Sequence, residues 1–240
     1  MTLGKTLRWT DCWKFLRKQY RRDYRMFHQF PAGSYRKVLD IGAHRGEFAA
    51  ACRRFLGSEK IWLVEPQPGP AERLRQQFPP EDGFAVIEAA VSDRSGTAEF
   101  HVHEQRGSSS LLTIDPAARE VYGLDPDESA AIRVPCLSLD ELFEKHGVGT
   151  VDLMKVDIQG AEHLLLRGGS RALEQIRAIY IEVNFQSVYE KGATFTEVHA
   201  PLAEKGFKLA FLDDFRRGRD GALAYANAFY WKPGFGSKAL

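Results

Sequence analysis

Cysteine is scarce in this chain. Three thiols in 240 residues, Cys12, Cys52 and Cys136, are an odd number whose spacing matches no metal or disulfide pattern. That set excludes a disulfide-stapled secreted scaffold and fits a reducing compartment, so a cytoplasmic location is expected. An excess of charge of one sign is also missing. The 33 Lys and Arg residues stand against 32 Asp and Glu, a formal net charge of +1, which gives no electrostatic case for a nucleic-acid partner. No apolar run approaches the roughly 18 residues of a membrane span, and the N-terminus has no hydrophobic signal core.

What is present is ordinary globular material, 44% hydrophobic, enough for one large domain with an appendage. In residues 5–28, Trp9, Trp13, Leu16, Tyr20 and Tyr24 recur at steps of three and four, the spacing of one helix face, with Lys14, Arg17, Lys18, Arg21, Arg22 and Arg25 on the others. Residues 1–30 are therefore expected to form a basic amphipathic helix. It would pack on the main domain or a twin subunit, or serve as an arm toward a membrane surface or a carrier-bound substrate. Residues 31–233 are expected to be the main domain and 234–240 a tail. From residue 35 onward, strands and helices alternate. "RKVLDIG", "KIWLVEP", "FAVIEAAVS", "VDLMKVD" and "IRAIYIEVNF" read as strands, and "TAEFHVH" as a half-buried edge strand. The intervening "GEFAAACRRFLG", "GPAERLRQQF", "SLDELFEKHG" and "GAEHLLLRGG" read as helices, and "TFTEVHAPLAEKG" as a helix interrupted near Pro201. This pattern predicts a doubly wound, mostly parallel α/β sheet with an antiparallel strand near its end. Residues 104–131 break the alternation, and a connection that long reads as a substrate lid or a solvated insertion.

The first strand runs into a glycine turn, "KVLDIGAHRGEF". The turn lacks the G-x-G-x-x-G spacing of a dinucleotide site and the G-K-[ST] of a P-loop. It carries an acid instead, Asp40. A carboxylate repels phosphate and suits a cationic ligand such as S-adenosylmethionine, whose sulfonium and ammonium it could face directly or through water. Glu65, ending the second strand in "WLVEPQP", is placed to accept hydrogen bonds from ribose hydroxyls.

The chain here resembles the FkbM family of S-adenosylmethionine-dependent methyltransferases. The likeness covers roughly residues 36–212 and rests on "VLDIGAHRGEF", "VEPQP", "EAAVSDRSGTAEFHVHEQRGSSSL", "VPCLSLDEL" and "VDLMKVDIQGAEHLLLRGG" followed by "IYIEV". His44 stands where the family usually has Asn. The resemblance implies the class I, Rossmann-like methyltransferase fold, here with an N-terminal helical extension. It also implies O-methylation of a hydroxyl on a sugar, glycolipid or secondary metabolite. The cofactor contacts are assigned to Asp40, Gly42, Ala43, His44, Gly46, Glu65, Pro66, Gln67, Ala90, Val91, Ser92 and Asp157.

An alcohol needs its proton removed as the new bond forms, so the site wants a base near the methyl group. Asp157, at the end of the "VDLMKVD" strand, is the first candidate for proton acceptor or substrate clamp, and Glu182 the second. Lys155 lies on the same side of its strand as Asp157 and could hold a carboxylate in place. Glu162 opens the following helix. A less favoured reading makes Asp157, Glu182 and Asn184 hard oxygen ligands for magnesium. A methyltransferase acting on bases would show a [DNS]-P-P-[YF] run where this chain has "DIQG". The remaining alternatives are a methyltransferase for another nucleophile and a non-catalytic binding subunit that keeps the cofactor fold.

Overall fold

A computed structural model describes Phe27 and residues 35–103, 109–116, 118 and 130–234. The aromatic and basic positions expected to form the N-terminal helix, and residues 235–240 of the expected tail, lie outside the described residues.

Strands β1 (Lys37–Ile41), β2 (Lys60–Val64) and β3 (Phe84–Ile87) build outward in one direction. The chain then returns through β7 (Val151–Val156) and β8 (Ile176–Asn184), which extend the sheet on the other side of β1. Two long strands, β9 (Lys208–Arg217) and β10 (Leu223–Trp231), complete the order β3-β2-β1-β7-β8-β10-β9. All pairs from β3 to β8 are parallel, and β10 is antiparallel to both neighbours. The reversal of winding falls between β1 and β7. Open sheets of this kind take ligands at that switch point, outside the carboxyl ends of the strands.

The central strands are near-continuous apolar runs because both faces are covered. Alternation divides them cleanly. Leu39, Ile41, Met154 and Val156 join one core cluster, beneath Leu165 and Leu202. Val38, Leu63 and Leu153 join the other, beneath Phe48, Leu74 and Phe78. The covering helices are α1 (Glu47–Ala51), α2 (Pro68–Gln77), α3 (Leu139–His146), α4 (Glu162–Arg167) and α5 (Phe195–Glu204). Beyond its last α-helical residue α1 widens into a π turn over Cys52–Leu56, and Gly57 ends it in the left-handed region. Ser138 caps α3 by accepting from the Glu141 amide at 3.2 Å, and Gly147 closes it at φ 57°.

Two readings of the sequence need correction. "FAVIEAAVS" is not one strand. Its first half is β3, paired with β2, and its second half is β4 (Ala90–Ser92), which pairs in parallel with β6 (Ala130–Ser138) in a separate three-stranded sheet. That small sheet is completed by β5 (Gly96–Val102), antiparallel to β6 and on the edge as expected. The other correction concerns α5, which runs through Pro201 without interruption. Burial of Val198 and Leu202, on either side of the proline, holds the helix across the missing hydrogen bond. A capping box between Thr194 and Glu197 fixes its start.

The described part of the long connection is docked. Asp115 N donates to Val188 O at 3.0 Å, and Glu190 N to Thr113 O at 2.9 Å. Ile114 and Ala118 bury against Val188 and Tyr189.

Candidate active site

A cavity of about 500 Å³ opens at the carboxyl ends of β1, β2 and β7, within the range of small-molecule sites. Eight of the twelve residues assigned to the cofactor line it: Gly42, His44, Glu65, Pro66, Gln67, Ala90, Val91 and Asp157. Asp40, Ala43, Gly46 and Ser92 are not in its wall.

The turn after β1 is shaped by its neighbours. Gly42 and Ala43 both donate their amides to Val64 O at 3.0 Å, tying the turn to β2. Gly42 has φ 80°, and a Cβ there would collide with the carbonyl oxygen of Asp157. The glycine therefore lets the β1 and β7 termini close on one another. Gly46 serves a different purpose from the one expected. A Cβ on it would strike the buried ring of Phe78 and reach within 2.9 Å of Leu74 Cδ2, so this glycine admits α2 and its C-terminal Phe78 to the core.

Glu65 is 3% exposed and held from two sides. Its Oε2 accepts from His44 N at 2.9 Å and its Oε1 from Gln67 N at 3.0 Å. Burial raises its pKa, and the two backbone amides oppose that shift. Each oxygen keeps a lone pair for a hydroxyl donor. The pair of amides thus presents a fixed acceptor to a ligand diol. His44 sits in the left-handed region at φ 49°, which aims its amide at Glu65.

Asp40 is not at the mouth of the turn. Its side chain is 0% exposed and lies under Lys155, and neither carboxylate oxygen has a hydrogen bond. The lysine is the centre of the site's electrostatics. Its Nζ is 3.6 Å from Asp40 Oδ1 and 3.3 Å from Asp157 Oδ2, and it donates to Gly42 O at 3.0 Å. Burial alone would lower the lysine's pKa, but Asp157 and Asp40 outweigh it and hold the ammonium above its ordinary value. Burial raises Asp40 in spite of Lys155. For Asp157 the balance reverses: Lys155 and a hydrogen bond from Gln159 overcome burial and hold the carboxyl below its usual range. Asp40 therefore acts on the cavity through Lys155, which joins the β1 turn to Asp157.

The other catalytic candidates stand behind this layer. Glu162 is 0% exposed and stays out of the cavity wall. Its Oε1 accepts from Ile158 N at 3.1 Å and Gly160 N at 3.3 Å, closing the loop between β7 and α4, while Oε2 is buried with no hydrogen bond. Burial pushes its pKa up to about 7. Glu182 is half-buried and also outside the cavity wall; burial, with the charges of Asp157 and Glu162, pushes its carboxyl well above the usual range. Asn184 is 3% exposed. Among the described residues, no three His, Cys, Asp or Glu side chains come together as a metal site.

The far wall was missed by sequence reasoning. Phe100 and Val102 of β5, with His103, Ser109 and Leu111, also line the cavity. The alternation in "TAEFHVH" places Phe100 and Val102 on one face but gives no sign of which cavity that face meets. Gln159, also in the wall, lay unnoticed inside "VDIQG".

The Methyltransferase FkbM domain matches residues 40–209, most of the chain. The protein is a member of the FkbM methyltransferase family. It is an S-adenosylmethionine-dependent methyltransferase. The site is compatible with that cofactor: Glu65 offers two fixed oxygens, and the Lys155 ammonium at the turn is taken up by Gly42 O, Asp40 and Asp157. Among curated relatives, 2-O-methyltransferase NoeI of Sinorhizobium fredii is 29% identical over 158 residues, covering 64% of this FkbM-family chain and 65% of NoeI. Hexuronic acid methyltransferase AglP of Haloferax volcanii is 26% identical over 183 residues, 76% of this chain and 70% of AglP. The 31-O-demethyl-FK506 methyltransferase FkbM of Streptomyces tacrolimicus is 24% identical over 198 residues, 74% of each chain. Of solved structures, Streptococcus pneumoniae Sp1610, a putative tRNA (m1A22) methyltransferase, superimposes with a TM-score of 0.50 at 10% identity, over 88% of this chain and 69% of that one. That likeness establishes the Rossmann-like fold alone.

Proposed function

We propose that this enzyme transfers a methyl group to a hydroxyl of a sugar, glycolipid or secondary-metabolite acceptor, with Asp157 receiving the hydroxyl's hydrogen bond. The carrying observation is the position of Asp157. Its side chain is 39% exposed, in the cavity wall at the switch point, and Lys155 and Gln159 hold both of its oxygens. The printed names of the relatives support the acceptor class: one is a 2-O-methyltransferase, and another acts on a 31-O-demethyl compound.

S-adenosylmethionine supplies a methyl group already activated by its sulfonium. Glu65 would take the ribose hydroxyls, and the turn at Gly42 would pass close to the ligand. The chain's remaining task is to aim an oxygen at the methyl carbon and to receive its proton. As the O–C bond forms and the C–S bond breaks, the attacking hydroxyl becomes strongly acidic. A carboxylate with a low pKa can then accept the proton, although it could not deprotonate a free alcohol. The products are a methyl ether, the demethylated cofactor and a proton handed to solvent.

A label-transfer assay tests this reading. The protein would be incubated with methyl-tritiated S-adenosylmethionine and a panel of glycosides, polyols and hydroxylated lactones. Label in an alkali-stable ether is expected. Label confined to alkali-labile esters would move the reaction to carboxyl groups and end the hydroxyl reading.

A further inference from the structure

The Gln159 amide that holds Asp157 is itself held, by a residue that takes no part in the transfer step. Gln159 Nε2 donates to Asp157 Oδ1 at 2.7 Å, and the Tyr189 hydroxyl donates to Gln159 Oε1 at 2.8 Å. The second bond fixes the first. With its oxygen turned to the tyrosine, the amide must present its NH2 to the carboxylate. Lys155 holds the other oxygen of Asp157 at 3.3 Å. Both ends of the carboxylate are thus pinned, and its plane is set.

Several local features support this arrangement. Gln159 has φ 59°, a conformation that non-glycine residues adopt at an energetic cost and that clusters at functional sites. The next residue is Gly160 at φ 93°, where a Cβ would come within 2.6 Å of Tyr189 Cδ2. A side chain there would push the tyrosine away from Gln159. Ser110 Oγ donates to Gln159 O at 2.7 Å, and Ile114 pairs with Tyr189 in an isolated antiparallel bridge. Tyr189 itself is 3% exposed, far more buried than the group it serves.

We propose that Tyr189, acting through Gln159, is a positioning residue that sets the pose of the Asp157 carboxylate, and that residues 109–116 brace both. The inference rests on the reading of Asp157 as the group that meets the acceptor hydroxyl. It adds that a tyrosine outside the cavity wall, on the loop after β8, governs that group.

The test needs no acceptor. Protein labelled with 13C at the aspartate carboxyl carbons, saturated with S-adenosylhomocysteine, would be titrated by NMR. The Asp157 resonance is identified by its loss in Asp157→Asn. In Tyr189→Phe its midpoint should rise by about half a pH unit or more, because the donor that favours the charged form is no longer held. Gln159→Leu should raise it at least as far, and the double variant should match Gln159→Leu alone, since both changes remove one link. An unchanged Asp157 midpoint in folded Tyr189→Phe would overturn the proposal, and so would additive shifts in the double variant. Should Tyr189→Phe fail to fold, Ser110→Ala replaces it, with a smaller rise in the same direction expected and no rise overturning the bracing role. The underlying reading fails separately: Asp157→Asn that transfers label as fast as the unmodified protein removes Asp157 from the reaction, whatever the titration shows.

Discussion

At the scale of single residues, burial and two-sided hydrogen bonding decide what each carboxylate can do. Glu65 is the clearest case, since its geometry is fixed by two backbone amides before any ligand arrives. Glu65→Ala should weaken S-adenosylmethionine binding by about 1–3 kcal/mol, the usual scale of lost charged hydrogen bonds. Calorimetry checks this, and unchanged affinity would remove the ribose assignment. Glu162 gives a pH signature. Its pKa in the folded chain is about 7, raised from 4.5 by burial. A raised carboxyl favours folding below pH 4.5, and that contribution is lost as pH climbs toward 7. The loss amounts to about 3 kcal/mol at most. Glu162→Gln keeps an acceptor for Ile158 N and Gly160 N and has no proton to lose. Its melting temperature should therefore fall less between pH 5 and 8 than that of the unmodified protein. Parallel curves would show that Glu162 does not titrate in this window. Gly46 was expected to face the ligand and instead faces Phe78. Gly46→Val should destabilise the fold by about 2–5 kcal/mol through overpacking and a strained φ, read as a lower urea midpoint.

Elements were legible where one period ran unbroken through a segment. The apolar runs of β1, β2, β7 and β8 announced a sheet covered on both faces, and Ser138 and Gly147 marked both ends of α3. Two boundaries were hidden for physical reasons. The only polar residue between β3 and β4 in "FAVIEAAVS" is Glu88, and a single charge there reads as an outward strand position; in the structure it pairs with Arg75 at 2.8 Å, beside the buried Ala89. Nothing local tells that the chain changes sheets there. Pro201 looked like a helix break because local propensity says so, and tertiary packing of Val198 and Leu202 overrides it. The site was legible as a place, at the strand ends, and as a set of residue types. Which carboxylate faces the cavity was not, since Asp40 and Asp157 end neighbouring strands and only their depth separates them. The proline gives a prediction of its own. Pro201→Ala should raise stability by about 1–3 kcal/mol by restoring a donor inside α5. A denaturant midpoint that stays level or falls would show that the ring's packing outweighs the missing bond.

Across the whole molecule, the cavity is a joint between two sheets. The seven-stranded sheet supplies the turn, Glu65 and Asp157, and the three-stranded sheet supplies Ala90, Val91, Phe100 and Val102. The segment around Ser110 and Ile114 fastens the second part to the loops after β7 and β8. Ser110→Ala should loosen this fastening at both ends. Hydrogen exchange is expected to quicken together in residues 109–116 and 158–160, with β1 and β2 unaffected. Faster exchange in only one of the two segments would mean they are not mechanically linked.

The two-sheet construction has a consequence for how such an enzyme diversifies. The small sheet carries Phe100 and Val102 together with Ala90 and Val91, which are assigned to the cofactor, so the two sets are tied through β6 and a change in one is felt in the other. Exchanging Phe100, Val102 and Leu111 for the residues of a related enzyme should therefore shift S-adenosylmethionine affinity as well, which calorimetry would show, because Phe100 packs on Ala90. A scaffold joined in this way admits new side chains at the cavity only where the β4–β6–β5 ladder can keep its register.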